Sequence, residues 1–123
     1  MRFMMMIKAN PEDEAAGPLN PALMAGMGKL TAEMVQAGVV LASEGLQPSS
    51  QGTRIRYAGG RRVVTDGPFA EAKEVIGGFA IVRADSMAQA IAFANRVVDV
   101  HIEAGVHHVE MEIRPLFDPC RRL

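Results

Sequence analysis

The sequence predicts an α+β domain in which one antiparallel sheet carries two helices on a single face. Three observations predict it. Apolar residues recur at helical spacing in two separate stretches, one after Asn20 and one after Ser86. Short apolar or alternating runs of strand length flank each stretch. A further pair of short runs, split by two glycines, lies between the two halves.

Residues 2–8 (RFMMMIK) form a continuous apolar run and read as a strand buried on both faces, ended by the breaker stretch Asn10 to Pro21. Asn20-Pro21 opens the first helix, an Asn cap with Pro at the first helical position, where its missing N–H costs nothing. Leu23, Met27, Leu30 and Met34 make its apolar stripe, and Gly38 supplies the left-handed stop. Val39 to Leu46 is the second strand, and Gln47 to Gly52 a turn. Thr53–Tyr57 and Arg61–Thr65 pair as a hairpin around Ala58-Gly59-Gly60. Asp66 to Gly77 is irregular, with a helical turn expected at Ala70 to Glu74, and Gly78 to Arg83 is the next strand. Ser86 and Gln89 form a capping box for the second helix, with Met87, Ile91, Ala94 and Val98 expected inward and a stop near Gly105. His107 to Ile113 alternates as a half-buried last strand, with Val109, Met111 and Ile113 on the face opposite His108, Glu110 and Glu112.

The order is therefore β-α-β, a hairpin, then β-α-β, the split βαβ pattern of ferredoxin-like domains with a hairpin inserted at its middle. A chain of 123 residues holds one such domain, residues 1–123. Two helices cover one side of a sheet, yet Phe3, Met5 and Ile7 on one face of the first strand are matched by Met4 and Met6 on the other. The second face needs another cover, and a second copy of the sheet is the simplest one. A homodimer through the sheet face is the expected assembly.

Composition narrows the function. Apolar residues make up 49% of the chain, and 13 basic against 14 acidic residues leave a net charge of −1. That balance, without a basic stripe, argues against nucleic acid as a partner. The single cysteine, Cys120, allows no internal disulfide and fits a reducing cytoplasm. The apolar opening run is too short for a signal core or a membrane span. No phosphate-cradling GxxxxGK, dinucleotide fingerprint, GxSxG or HExxH occurs, so no cofactor is expected. Adjacent strand histidines His107 and His108 point to opposite faces, and His101 lies at a helix end, where it suits the dipole. No metal site is expected.

The stretch Val64 to Phe79 (VTDGPFAEAKEVIGGF) resembles the DGPF branch of the YCII-related family. Glu44 to Pro48 (EGLQP), the RFMMMIK strand and the closing Glu112-Ile113-Arg114-Pro115 fit the same pattern, so the resemblance runs from about residue 2 to 117. It implies a dimeric α+β barrel, two ferredoxin-like sheets packed face to face with a cleft beside the sheet. It also implies relatives that eliminate chloride from, or isomerise, small ring compounds, and genes that neighbour those for sigma factors. The branch has no agreed reaction. In the YCII branch a histidine of the first helix partners the DGP aspartate; here Pro21 to Ala37 contains none.

Asp66 enters Gly67-Pro68 where strand meets loop. It reads either as a structural acceptor for the N–H groups of the following turn or as an acid/base carboxylate in a cleft wall. Phe69 is expected to anchor the loop in the core. Glu44 is expected on one face with Val40, Ala42 and Leu46, either sharing substrate work with Asp66 or pairing with a hairpin arginine. Lys73 and Glu74 read as a solvated turn or, through their place in the motif, as substrate-binding groups suited to an anionic or enolate-like ligand. Two functions follow. One is a cofactor-independent enzyme of isomerase or lyase type acting on a small anionic or ring-type metabolite, with Asp66 catalytic and Glu44, Lys73 and Glu74 binding. The other is a non-catalytic ligand-sensing or interaction module tied to sigma-factor-dependent transcription.

Overall fold

The computed structural model describes residues 1–9, 20–69 and 75–117. Among the described residues six strands and two α-helices follow one another as β1 (Arg2–Ala9), α1 (Pro21–Gln36), β2 (Val40–Gly45), β3 (Thr53–Ala58), β4 (Arg61–Asp66), β5 (Val75–Arg83), α2 (Met87–Glu103) and β6 (Glu110–Pro115). A single turn of 3₁₀ helix, Ser49–Gln51, sits between β2 and β3. The main sheet has the order β2-β5-β1-β6, every neighbouring pair antiparallel. Strand β5 lies between β1 and β2, and β1 lies between β5 and β6. This is the split βαβ arrangement of a ferredoxin-like domain, and α+β is the class.

The helices begin where the sequence places their caps. Asn20 Oδ1 accepts the N–H groups of Ala22 at 2.8 Å and Leu23 at 3.2 Å, while its Nδ2 donates to the Ala104 carbonyl at 2.8 Å. One side chain thus starts α1 and satisfies the end of α2. Ser86 Oγ accepts from Gln89 N at 3.2 Å, and Gln89 Oε1 accepts from Asp85 N at 2.6 Å, one residue before the cap itself. The helices pack closely: a Cβ added at Gly26 would stand 2.7 Å from Val100 Cγ1.

The core lies between the helices and one sheet face. It is built on Phe3, Met5, Val82, Ala84, Ala90 and Ala94, with Phe93, Met111 and Ile113 packed against them. Leu30 and Met34 of the expected α1 stripe are buried, and Leu23 and Met27 are half-buried. The inward side of α2 meets expectation at Ala94, which is buried, and Val98, which is half-buried, and differs from it nearer the start of the helix. Ala90, Ala94 and His101 are its buried residues, whereas Met87 and Ile91 are 37% and 47% exposed. Small residues let the helix approach the sheet, and the larger Met87 and Ile91 are turned off that line.

Two further differences concern strands. Strand β6 begins at Glu110, so His107 and His108 precede it, both exposed. The inserted hairpin forms its own two-stranded sheet, joined to no other strand among the described residues, with the Gly59-Gly60 turn in the left-handed region at φ 59° and 77°. All twelve residues of β3 and β4 are exposed. The expected helical turn at Ala70–Glu74, with Lys73 and Glu74, and the terminal Cys120 lie outside the described residues.

Candidate functional site

Register decides which side chains share the face turned away from the helices. Strand β2 carries an irregularity between Val40 and Ala42. An extra residue there reverses the facing of everything beyond it. Val40 consequently packs with the core, while Ala42 pairs with Ile81 and Glu44 with Phe79. The expectation that Glu44 shares a face with Val40 is corrected by this bulge. The rows across the open face are Ala42–Ile81–Met4–Arg114 and Glu44–Phe79–Met6–Glu112, followed by Ile76–Lys8–Glu110. Met4, Phe79 and Ile81 are half-buried and Met6 is 9% exposed.

Charged groups rim this apolar strip. Lys8 Nζ lies 3.2 Å from Glu112 Oε1, with the lysine side chain the more enclosed of the two. Glu44 is exposed and makes no side-chain hydrogen bond or ion pair among the described residues; no hairpin arginine reaches it.

Asp66 is the last residue of β4, opposite Thr53 in the hairpin register. Its Oδ1 accepts from the Thr53 hydroxyl at 3.4 Å, a long bond across the base of the ribbon, rather than from N–H groups of the following turn. The carboxylate is exposed. The backbone behind it is held firmly. Gly67 N donates to Gly52 O at 2.9 Å, Gly52 N to Ser49 O at 2.9 Å, and Phe69 N to the buried Ser49 hydroxyl at 3.3 Å. The Gly67–Pro68 peptide bond is cis. A Cβ at Gly67 would overlap the Ser49 carbonyl oxygen and stand 2.6 Å from its carbon. Glycine is required there by contact, since no side chain fits between two backbones this close.

Phe69 differs from its expected core position. It is half-buried at the hairpin base, with the Arg54 guanidinium 4.1 Å from its ring centroid, a cation–π contact. The motif is therefore a clasp in which the 3₁₀ turn after EGLQP receives the GPF segment and fixes the root of the hairpin. Ser49, Gly52 and Thr53 belong to this clasp with Arg54 and were not singled out from the sequence. Their only signal is a small-residue turn, which marks a loop without telling what it touches.

Topology brings Asp66 and Glu44 to one end of the sheet. Strand β2 ends one residue after Glu44, Leu46 N bonds to Gly77 O at 3.0 Å, and the hairpin leaves and returns between these two strands. No hydrogen bond joins the two carboxylates. A small cavity of about 40 Å³ lies instead inside the core, between Met27, Leu30 and Met34 of α1 and Met5, Ala80 and Val82 of the sheet. Only Thr31 and Ser43 give it hydroxyls, and a ring-sized substrate would not fit.

His107 and His108 precede β6, at the edge of the sheet opposite β2. His101 is buried in the last turn of α2, where its Nδ1–H donates to the Val97 carbonyl at 2.8 Å. Among the described residues no three His, Cys, Asp or Glu side chains converge as metal ligands, and no helix is long and apolar enough to cross a membrane.

Comparison with known proteins agrees with this geometry over most of the chain. An uncharacterized protein of Rhizobium meliloti (strain 1021) is 30% identical over 94 residues, covering 76% of this chain and 73% of its own. The YCII-related domain matches residues 1–113, from the residue before β1 to the inward-facing Ile113 of β6, and so includes the clasp and both carboxylates. With five of the six described strands, most of β6, both described helices and the clasp inside that match, the chain belongs to the YCII-related domain family.

Proposed function

We propose that this chain is a DGPF-branch member that works as a homodimeric α+β barrel, binding a small anionic or ring-type metabolite where the open sheet face meets the hairpin base. Asp66 serves as acid/base in a cofactor-independent isomerisation or elimination. Glu44 lines the same end, and Lys73 and Glu74 of the motif supply further binding groups.

Asp66 carries the reading. Its carboxylate is open to solvent while the chain before it is paired with β3 and the chain after it is clamped to Ser49 and Gly52, so the group has a fixed root and a free acceptor. That combination suits proton transfer to a small molecule. A purely structural aspartate would instead be expected to accept several short backbone bonds.

Support for the dimer comes from the open face. An apolar centre of Met4, Met6, Phe79 and Ile81, rimmed by Lys8, Glu44, Glu112 and Arg114, has the anatomy of an interface. Covering the half-exposed members gains on the order of 1 kcal/mol each before ordering costs. A second sheet laid over it would also wall the space in front of Glu44, which a single chain leaves open.

A screen of small ring acids and halogenated or enolisable anions, by thermal shift and then turnover, tests the proposal. Binding that persists in Asp66→Asn while turnover is lost supports it. Turnover unchanged in Asp66→Asn, or an inert protein that binds none of these yet captures a sigma factor in stoichiometric amount, defeats it.

A further inference from the structure

The β3–β4 hairpin leaves both of its edges without a neighbouring strand. Two-stranded ribbons standing alone are marginal in water, and this one pairs with no third strand among the described residues. The phase of its ladder shows which residues present backbone groups along each edge. Gly67 N donates to Gly52 O, and bonded pairs recur at every second position of an antiparallel ladder. Arg54–Thr65, Arg56–Val63 and Ala58–Arg61 are then the bonded pairs of the hairpin. Residues between them point their N–H and C=O groups outward. These are Thr53, Ile55 and Tyr57 along the β3 edge, and Arg62, Val64 and Asp66 along the β4 edge.

We propose that two copies of the chain join β4 to β4 about a two-fold axis at Val64, so that Arg62 of each copy stands opposite Asp66 of the other. Charge and register choose this occupant together. A two-fold axis normal to the ribbon keeps every side chain on its own face, so paired positions must differ by an even number. With Val64 opposite Val64, Arg62 meets Asp66 on both sides of the axis, and every outward backbone group of the β4 edge finds a partner. Between these pairs Val63 meets Thr65, so no like charges face one another. The β3 edge fails the same test. Any two-fold register that pairs at least two of its outward residues sets Arg54 against Arg54 or Arg56, or Arg56 against itself. The joined ribbon has the row Ile55–Val64–Val64–Ile55 across its middle, residues that are 70% and 64% exposed in the single chain.

The joint uses a strand edge and leaves the sheet face to the dimer proposed above, so the two contacts coexist as separate two-fold interfaces. Among the described residues Asp66 has no ion pair within its own chain, and its own Arg62 lies about 13 Å along the strand. The joint sets the guanidinium of the second copy beside the carboxylate instead, with about 5 Å between Cβ atoms. In this consequence the inference rests on the acid/base role of Asp66 proposed above: the cation that holds an anionic substrate next to that group comes from the other subunit.

A disulfide placed on the axis tests the joint. Cα atoms of a bonded antiparallel pair stand about 5.5 Å apart, within the span of a disulfide. In a Cys120→Ser background the Val64→Cys protein should cross-link into a covalent dimer under mild oxidation. The Ile55→Cys protein, substituted at an equally exposed position of the β3 edge, should stay largely unlinked. No cross-link in Val64→Cys, or equal cross-linking of the two, overturns the joint. Arg62→Asp and Asp66→Arg, each added to Val64→Cys, set like charges face to face and slow cross-linking about tenfold. The two together reverse the pair and restore the rate; a double variant as slow as either single one overturns the register. Val64→Pro removes an N–H that only the joint uses. Sedimentation should show its assembly reduced to the sheet-face dimer with far-UV circular dichroism unchanged, and an assembly of undiminished size overturns the joint. Turnover separates the two readings. Cross-linking of Val64→Cys with turnover intact in Asp66→Asn keeps the joint and removes the acid/base role, while turnover lost in Asp66→Asn without that cross-link does the reverse.

Discussion

Replacing Gly67 with Ala attacks the clasp at its tightest point. The new methyl would occupy the space of the Ser49 carbonyl, and both neighbours are backbone, so neither can rotate aside. Relief requires the 3₁₀ turn and the GPF segment to separate. Overpacking of this kind costs about 1–3 kcal/mol. Separation also breaks the Gly67 N to Gly52 O bond of 2.9 Å, worth about 1 kcal/mol. The expected loss is about 2–4 kcal/mol, a large part of the stability of a small domain. Gly28 is the matched control. It lies inside α1 with nothing within 4 Å of an added Cβ, so Gly28→Ala should stabilise by about 0.5–1 kcal/mol through helix propensity and a less flexible unfolded chain. Urea unfolding at one fixed protein concentration compares the two. With a slope of about 2 kcal/mol per molar, Gly67→Ala lowers the midpoint by roughly 1–2 M, while Gly28→Ala raises it slightly. A Gly67→Ala protein within 0.5 kcal/mol of the parent, an order-of-magnitude threshold for a neutral substitution, would refute the close contact.

Other perturbations read other joints. Asn20→Ala removes the one cap acceptor, with its two N–H bonds, and the tie to Ala104, so thermal denaturation should show a loss of about 1–2 kcal/mol; a change of a few tenths would mean the cap is dispensable. Gly26→Ala sets a Cβ against the stiff Val100 side chain, costing about 1–3 kcal/mol that helix propensity only partly offsets. In a Val100→Ala background the same change should stabilise by about 0.5–1 kcal/mol, and a double-mutant cycle with no coupling would contradict the helix contact. Asp66→Asn loses one exposed bond of 3.4 Å, so stability should move by less than about 0.5 kcal/mol in the melt that accompanies its activity assay. A large loss of stability there would make Asp66 a structural residue.

Much of the candidate site was visible as composition and spacing, and its geometry was not. Asp66-Gly67-Pro68-Phe69 stood out as a run, but the reason for its glycine lies eighteen residues back, at Ser49. Glu44 was recognisable as a carboxylate among apolar residues. Its face was misassigned because a one-residue irregularity after Val40 breaks the alternation on which facing is inferred. The second helix shows the same limit. Periodicity identified the helix, both its ends and the inward Ala94 and Val98, yet it also set Met87 and Ile91 inward, where Ala90 is buried instead. At the start of the helix the larger apolar residues are not the inward ones.

The sequence by itself determined the parts whose energetics close within a few residues: the Asn20 and Ser86 caps, the Gly59-Gly60 turn, the left-handed stops at Gly38 and Gly105, and hence the order of elements and the α+β class. Tertiary structure decided the phase of α2, the facing of Glu44, the clasp between Ser49 and Gly67, and the isolation of the hairpin from the main sheet. Caps and turns are hydrogen bonds between near neighbours, which local residue types specify. Facing and close approach depend on how far one backbone can come toward another, and that distance exists only once the layers have packed.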